Sequence, residues 1–175
     1  MRGQPFTALC QQVARLARPV VADLHAHTTA SDGDFTPSQL VAHARAAGLK
    51  AIAVTDHDTT AGVGPAVEAA REQGGRVEVI AGVEFSADWG GREFHVLGLF
   101  VNPADGPLGE ALADAVERRR QRFRDYLTKL AERGVALPDG FADATLAGTV
   151  SPGRRHLAGL LVRAGVAATR YEAFR

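Results

Sequence analysis

Six side chains that could bind metal lie between positions 25 and 95 of this 175-residue chain. Imidazole and carboxylate groups together bind divalent metals such as zinc, manganese or iron. No cysteine stands among them to suggest a structural zinc site. The pattern therefore predicts a chain that holds metal ions. The candidate ligands are His25, His27, Asp32, His57, Glu84 and His95.

Four of these ligand positions lie at the ends of three short apolar runs that are typical of strands. The run over 20–27 predicts a strand in which alternate residues face one side, so that His25 and His27 point the same way. Two further runs, over 50–57 and 76–84, end in His57 and Glu84. Because the carboxyl ends of parallel strands lie at one face of a sheet or barrel, we expect these side chains to converge.

Helical patterns separate these strands. Thr36 is a predicted N-cap followed by Pro37, and Gly48 ends that helix. A second helix is expected over 64–73, before two glycines. The order from Val20 onward is therefore β-α-β-α-β, which indicates an α/β fold.

A tight turn at 89–92 leads to a fourth predicted strand over 93–100, and His95 lies inside it. A long helix is then expected over 108–133, followed by helices over 141–147 and about 153–164. We expect four regions: an N-terminal helix at 1–19, the first part of a barrel at 20–104, a helical insertion or lid at 105–151, and a return toward the barrel at 152–175.

The charge balance favours no particular partner. The chain has 20 basic and 20 acidic side chains, so no overall field selects nucleic acid. No apolar stretch approaches the length of a membrane span, and the amphipathic stretch at 6–17 carries Gln and Arg, unlike a signal peptide. We expect a cytoplasmic protein without a membrane partner.

Four ordered motifs resemble those of the PHP (polymerase and histidinol phosphatase) family of metal-dependent phosphoesterases. These motifs are Asp23-Leu24-His25-Ala26-His27, Ser31-Asp32-Gly33, Thr55-Asp56-His57-Asp58-Thr59-Thr60 and Gly82-Val83-Glu84-Phe85-Ser86. Within the family, the segments 117–122 and 155–158 are similar to the nucleoside 3',5'-bisphosphate phosphatase and RNase AM branch. The likeness runs from about Ala22 to the last residue.

The resemblance implies a distorted seven-stranded (β/α) barrel that holds up to three metals, namely manganese, iron or zinc. It implies that His25 and His27 bind the first metal and that Glu84 bridges the first and second. It also implies that His95 binds the second metal and that Asp32 and His57 bind the third. The implied activity is hydrolysis of phosphate monoesters of nucleotides, such as nucleoside 3',5'-bisphosphates or RNA 5' ends, by metal-activated water.

The chain departs from the family pattern after the fourth strand. Family members continue with a His-Pro motif and a Gly-Ser-Asp-Phe-His motif, which add metal ligands and the closing strands. Neither motif is present, and a (β/α) barrel usually needs about 250 residues. We therefore expect the N-terminal part of a longer enzyme, a partial barrel with its last strands missing.

Such a partial barrel leaves an open sheet edge, which a C-terminal half or a second copy of the chain would cover. Alone, the chain is expected to bind metal weakly and to show little turnover. The alternative is a noncatalytic remnant that binds metal or a protein partner.

Four side chains are expected to contact substrate phosphate, because guanidinium groups suit phosphate and the branch likeness falls on them. A run such as Arg118 to Arg124 is otherwise usually a solvated helix face. The expected substrate contacts are Arg119, Arg122, Arg155 and His156.

A second enzyme class also uses a His-X-His pair on its first barrel strand. Amidohydrolases share this feature and hydrolyse C–N bonds. Asp32 within Ser-Asp-Gly and His57 within Thr-Asp-His favour the phosphoesterase pattern.

Overall fold

A four-stranded sheet forms the centre of the fold. The computed structural model describes residues 21–135 and 137–175, so the helix expected at 1–19 lies outside the described residues. The spatial order of the strands follows the chain order. The strands are β1 (Ala22–Ala26), β2 (Ala51–Val54), β3 (Glu78–Trp89) and β4 (Arg92–Leu99).

The sheet changes from parallel to antiparallel pairing within β3. Residues 78–81 of β3 pair in parallel with β2, and residues 82–89 pair antiparallel with β4. The expectation that the third strand ends at Glu84 is therefore wrong. The tight turn at Gly90 and Gly91, which the sequence predicted, lets β4 fold back and prolong β3 by hydrogen bonding. Glu84 lies three residues past the last partner of β2.

Two crossover helices cover one face of the sheet. They are α1 (Pro37–Ala46) and α2 (Val63–Glu72). The predicted cap is confirmed, because the Thr36 hydroxyl accepts from the Gln39 N–H in a capping box. Apolar side chains from both helices pack against β2, where Ile52 and Val54 are buried. This layer is the apolar core that fixes the carboxyl ends of β1 and β2.

The second half of the described chain is helical. Helix α3 begins two residues before the predicted start, because the Asp105 side chain accepts from the Leu108 N–H and caps it. The last helix was not predicted, since four residues are too few for a periodic pattern. The helices are α3 (Gly106–Glu132), α4 (Phe141–Gly148), α5 (Arg154–Arg163) and α6 (Arg170–Ala173).

Both outer strands have one unpaired edge within the part of the chain that the structure describes. Apolar side chains are exposed on them, including Leu24 on β1 and Phe94 and Val96 on β4. No helix in the described ranges is long and apolar enough to cross a membrane.

Candidate metal centre

The structure brings all six predicted ligands into one cluster at the carboxyl ends of β1 and β2. Their donor atoms form three overlapping groups, and within each group these atoms lie within 4.8 Å of one another. Such spacing lets each group contact one ion. The groups are His25, His27 and Glu84; His27, Asp32 and His57; and His57, Glu84 and His95.

Glu84 lies at the centre of the cluster. Its Oε2 is 3.0 Å from Nε2 of both His25 and His27, whereas its Oε1 is 3.2 Å from Nδ1 of His95. The two oxygens therefore face different histidines, as a bridging carboxylate requires. The backbone of Glu84 is held by the neighbouring loop, because its N–H donates to the Asp56 carbonyl and its carbonyl accepts from the Asp58 N–H.

His57 has the properties of a metal ligand. Its Nδ1 is buried without a hydrogen-bond partner and lies 3.5 Å from Glu84 Oε2, while Nε2 lies 3.9 Å from Asp32 Oδ1. Burial and the positive charge of Arg119 lower the pKa of His57 to about 4, so the imidazole is neutral at pH 7. Metal binding requires a neutral imidazole, and an ion would satisfy the orphaned nitrogen. The donor set thus fits a divalent cation.

The loop that carries Asp32 is bonded to a buried carboxylate, Asp56, in the segment that follows β2. Asp56 is fully buried and accepts hydrogen bonds from the Thr28 N–H at 2.7 Å, the Thr28 hydroxyl at 2.7 Å and the Ser31 hydroxyl at 2.5 Å. These bonds join the loop that carries Asp32 to the segment that carries His57. Asp56 therefore connects two loops that carry candidate ligands.

Arg119, one of the predicted phosphate contacts, is buried beside the cluster. Its Nε donates to Asp58 Oδ2, and its Nη2 donates to Ser86 Oγ at 2.8 Å. Burial raises the pKa of Asp58, but hydrogen bonds from the Ser86 N–H and Arg119 outweigh it and hold that pKa below its ordinary value. Asp58 is therefore ionised at neutral pH and compensates the buried guanidinium.

A cavity of about 130 Å³ adjoins the metal-ligand cluster, and we name it the arginine cavity. Asp32, His57 and His95 lie on one side of it. Aromatic side chains, Tyr126 and Phe174 among them, form another part of its lining. Its guanidinium groups belong to Arg119, Arg122, Arg154 and Arg155.

Sequence reasoning missed Arg154. A signal was available, because Gly153 marks the start of a helix and Arg154 is its first residue, beside the expected contact Arg155. Arg122 and Arg155 are about half exposed and pair with Glu93 at 3.4 Å and Asp34 at 3.0 Å, respectively.

His156, the fourth expected contact, does not line the arginine cavity. Its Nδ1 accepts from the Gly153 N–H at 3.1 Å, and burial lowers its pKa below the ordinary value. It borders a second cavity of about 460 Å³, which also contains Asp32, Arg155 and Arg170. Three of the four expected contacts therefore surround one cavity, and His156 faces another.

Comparison with known proteins places this cluster in a family. Residues 23–106 match the family model described as the PHP domain. The 5'-3' exoribonuclease Rnm of Escherichia coli is 37% identical over 157 residues, which are 89% of this chain and 53% of that protein. The 3',5'-nucleoside bisphosphate phosphatase of Chromobacterium violaceum is 34% identical over 156 residues, with coverages of 87% and 53%. The chain thus spans about half the length of the curated relatives it matches.

Solved structures agree with this match. One described as a metal-dependent phosphoesterase from Bifidobacterium adolescentis has a TM-score of 0.78 at 32% identity, covering 90% of this chain and 55% of that one. Another, described as an amidohydrolase from Chromobacterium violaceum with bound sulfate and no metal, has a TM-score of 0.78 at 33% identity, with coverages of 88% and 54%. The predicted partial α/β fold and the sequence resemblance are confirmed. Residues 23–106, which contain all six candidate ligands, match the PHP domain family model.

Proposed function

We propose that this chain forms the metal-binding part of a hydrolase that cleaves phosphate monoesters of nucleotides. The observation that carries the proposal is the juxtaposition of two features. A cluster of histidines and carboxylates that fits divalent cations lies directly beside a cavity lined by four arginines. Phosphoryl transfer depends mainly on positioning and on neutralising charge, and these two features supply both.

The cluster would hold up to three ions of manganese, iron or zinc, one per ligand group. Divalent cations bound there would lower the pKa of water and neutralise charge on phosphoryl oxygens. Glu84 belongs to two groups and so sets the spacing between two ions. Asp32 belongs to a single group, and Asp56 fixes the loop that carries it.

The arginines would bind the phosphate of the substrate. Arg119 is rigid, because it is buried and held by Asp58 and Ser86. Arg122 and Arg155 are more exposed, and their carboxylate partners lie near the surface. A phosphate entering the cavity would compete for these guanidinium groups, since charge-assisted pairs with phosphate are among the stronger hydrogen bonds.

A nucleotide substrate is supported by the aromatic side of the same cavity. Tyr126 and Phe174 line it together with the arginines, and aromatic rings offer a surface on which a nucleobase stacks. The names of two relatives refer to RNA and to nucleoside bisphosphates. Four guanidinium groups complement the negative charge of a phosphate, whereas an amide substrate is uncharged. The cavity therefore favours phosphoester over amide hydrolysis.

The test is release of inorganic phosphate from a nucleoside 3',5'-bisphosphate and from a 5'-phosphorylated short RNA by the manganese-loaded chain. We expect turnover that EDTA abolishes and that His57→Ala removes together with bound metal. His43→Ala is the matched control, because His43 is exposed on α1 and outside the cluster. Turnover that survives EDTA and loss of metal would overturn the proposal. Full metal binding without turnover would favour the noncatalytic alternative.

We further propose that turnover by this chain is weaker than that of a full-length relative. The family resemblance implies additional ligands beyond those in this sequence, and the chain covers about half of the relatives' length. Side-by-side assays with the Escherichia coli relative would test this. Equal rates and equal metal affinities would contradict it.

A further inference from the structure

The ion pair between Asp58 and Arg119 lies beside the metal-ligand cluster but outside its three ligand groups. Burying a guanidinium is costly unless a partner compensates its charge, and Asp58 is that partner. A purely structural ion pair would not need a free donor. Here Nε and Nη2 of the Arg119 guanidinium are bonded, whereas Nη1 remains available at the arginine cavity.

Both carboxylate oxygens of Asp58 are engaged. Oδ1 accepts from the Ser86 N–H at 2.7 Å, and Oδ2 accepts from Arg119 Nε. Ser86 closes the arrangement, because its hydroxyl accepts from Arg119 Nη2. The guanidinium is thus held along its Nε and Nη2 side by two residues that flank ligand positions, Asp58 next to His57 and Ser86 two residues after Glu84.

The nitrogen Nη1 of Arg119 has no protein hydrogen-bond partner among the described residues. It points toward the start of α5, where a Cβ on Gly153 would lie 3.3 Å from it. Gly153 and Arg119 both line the arginine cavity, as do the ligands His57 and His95. A glycine at this place leaves the approach to Nη1 open.

Resting on the proposed function, we infer that Asp58 is a positioning residue that holds Arg119 so that Nη1 donates to a phosphoryl oxygen of the substrate. Fixed donors aimed at phosphoryl charge need no rearrangement when the ligand arrives. Asp58 itself touches neither the substrate nor a metal. Its effect on ligand binding passes through Arg119.

The experiment measures the affinity of the manganese-loaded chain for inorganic phosphate by calorimetry. Asp58→Asn removes the charge, and asparagine tolerates the left-handed backbone at this position, where φ is 53°. We expect Asp58→Asn and Arg119→Ala each to weaken phosphate binding about tenfold. The double variant should bind no more weakly than Arg119→Ala alone, and metal content should stay at the wild-type level.

A rescue experiment separates positioning from general structural damage. Added guanidinium ion should partly restore phosphate binding to Arg119→Ala, where Asp58 can hold it, but not to the Asp58→Asn/Arg119→Ala double variant. A merely structural role would not produce this difference. Equal rescue in both variants, additive losses in the double variant, or wild-type phosphate affinity in Asp58→Asn would overturn the inference.

If Asp58→Asn does not fold, Arg119→Lys provides the test, because lysine keeps the positive charge opposite Asp58 but lacks the guanidinium fork. Phosphate affinity equal to that of the wild type would then overturn the inference. The outcomes distinguish the two proposals. Failure of the metal-loaded wild type to bind phosphate would overturn both, whereas a wild type that binds and hydrolyses phosphate esters beside an unaffected Asp58→Asn would overturn the positioning role alone.

Discussion

Glu84 and His95 lie on adjacent antiparallel strands, with Glu84 Oε1 3.2 Å from His95 Nδ1. The other oxygen of the same carboxylate faces His25 on β1, at the far edge of the sheet. One side chain therefore connects ligands contributed by the first and last strands.

Glu84→Gln should lower bound metal more than Asp32→Asn does. Each variant loses one negative charge, but Glu84 belongs to two ligand groups and Asp32 belongs to one. Metal content after dialysis, measured by mass spectrometry, checks this. Glu78→Gln, an exposed change on the same strand, should retain the wild-type content. Equal losses in Glu84→Gln and Asp32→Asn would contradict the shared role of Glu84.

Asp56→Asn should reduce the free energy of unfolding by about 1–3 kcal/mol, because an amide nitrogen in place of Oδ2 cannot accept the bond that the Thr28 hydroxyl donates, and the charge that strengthens the bonds to Oδ1 is lost. Urea denaturation of the metal-free chain measures the change. Asp125→Asn is the control, since Asp125 is exposed and accepts one bond from Gln121. Equal stability of the Asp56 variant and the wild type would show that these buried bonds do not hold the loop.

Arg120→Ala should destabilise the chain by about 1–2 kcal/mol without weakening phosphate binding. Arg120 donates to the carbonyls of Leu146, Thr149 and Val150, and so fastens the end of α4 away from the arginine cavity. Thermal unfolding combined with phosphate calorimetry checks both parts. Loss of phosphate affinity in this variant would mean that the helix positions, not the individual arginines, determine binding.

Tyr126→Ala should weaken binding of AMP about tenfold while leaving the affinity for inorganic phosphate unchanged, because one aromatic stacking contact with a base is lost. Competition between the two ligands on the metal-loaded chain measures the ratio. Tyr171→Ala is the matched control, since Tyr171 is exposed and does not line the arginine cavity. A parallel loss of both affinities would exclude base stacking at this position.

The arginines of α3 show where sequence reasoning stopped. Arg119 lies on one stripe of the helix with the buried Leu112, Ala115 and Phe123, although a run of arginines is usually a solvated face. Spacing alone did not reveal that Asp58, 61 residues earlier, would neutralise it. Nor did it show that Arg120 binds carbonyls 26 to 30 residues later. Such partners are distant in sequence and are determined by packing.

The sequence by itself determined the order of the four strands and of the helices α1 to α5, the identities of the six candidate ligands and the cap at Thr36, because these depend on neighbouring residues and short periodic patterns. Only the tertiary structure decided that β3 continues past Glu84, that Asp56 and Asp58 serve different loops, and that Arg154 borders the same cavity as Arg119. The physical reason is that hydrogen-bond partners, burial and shared cavities arise when distant segments pack. The local sequence pattern does not specify which distant residues will come into contact.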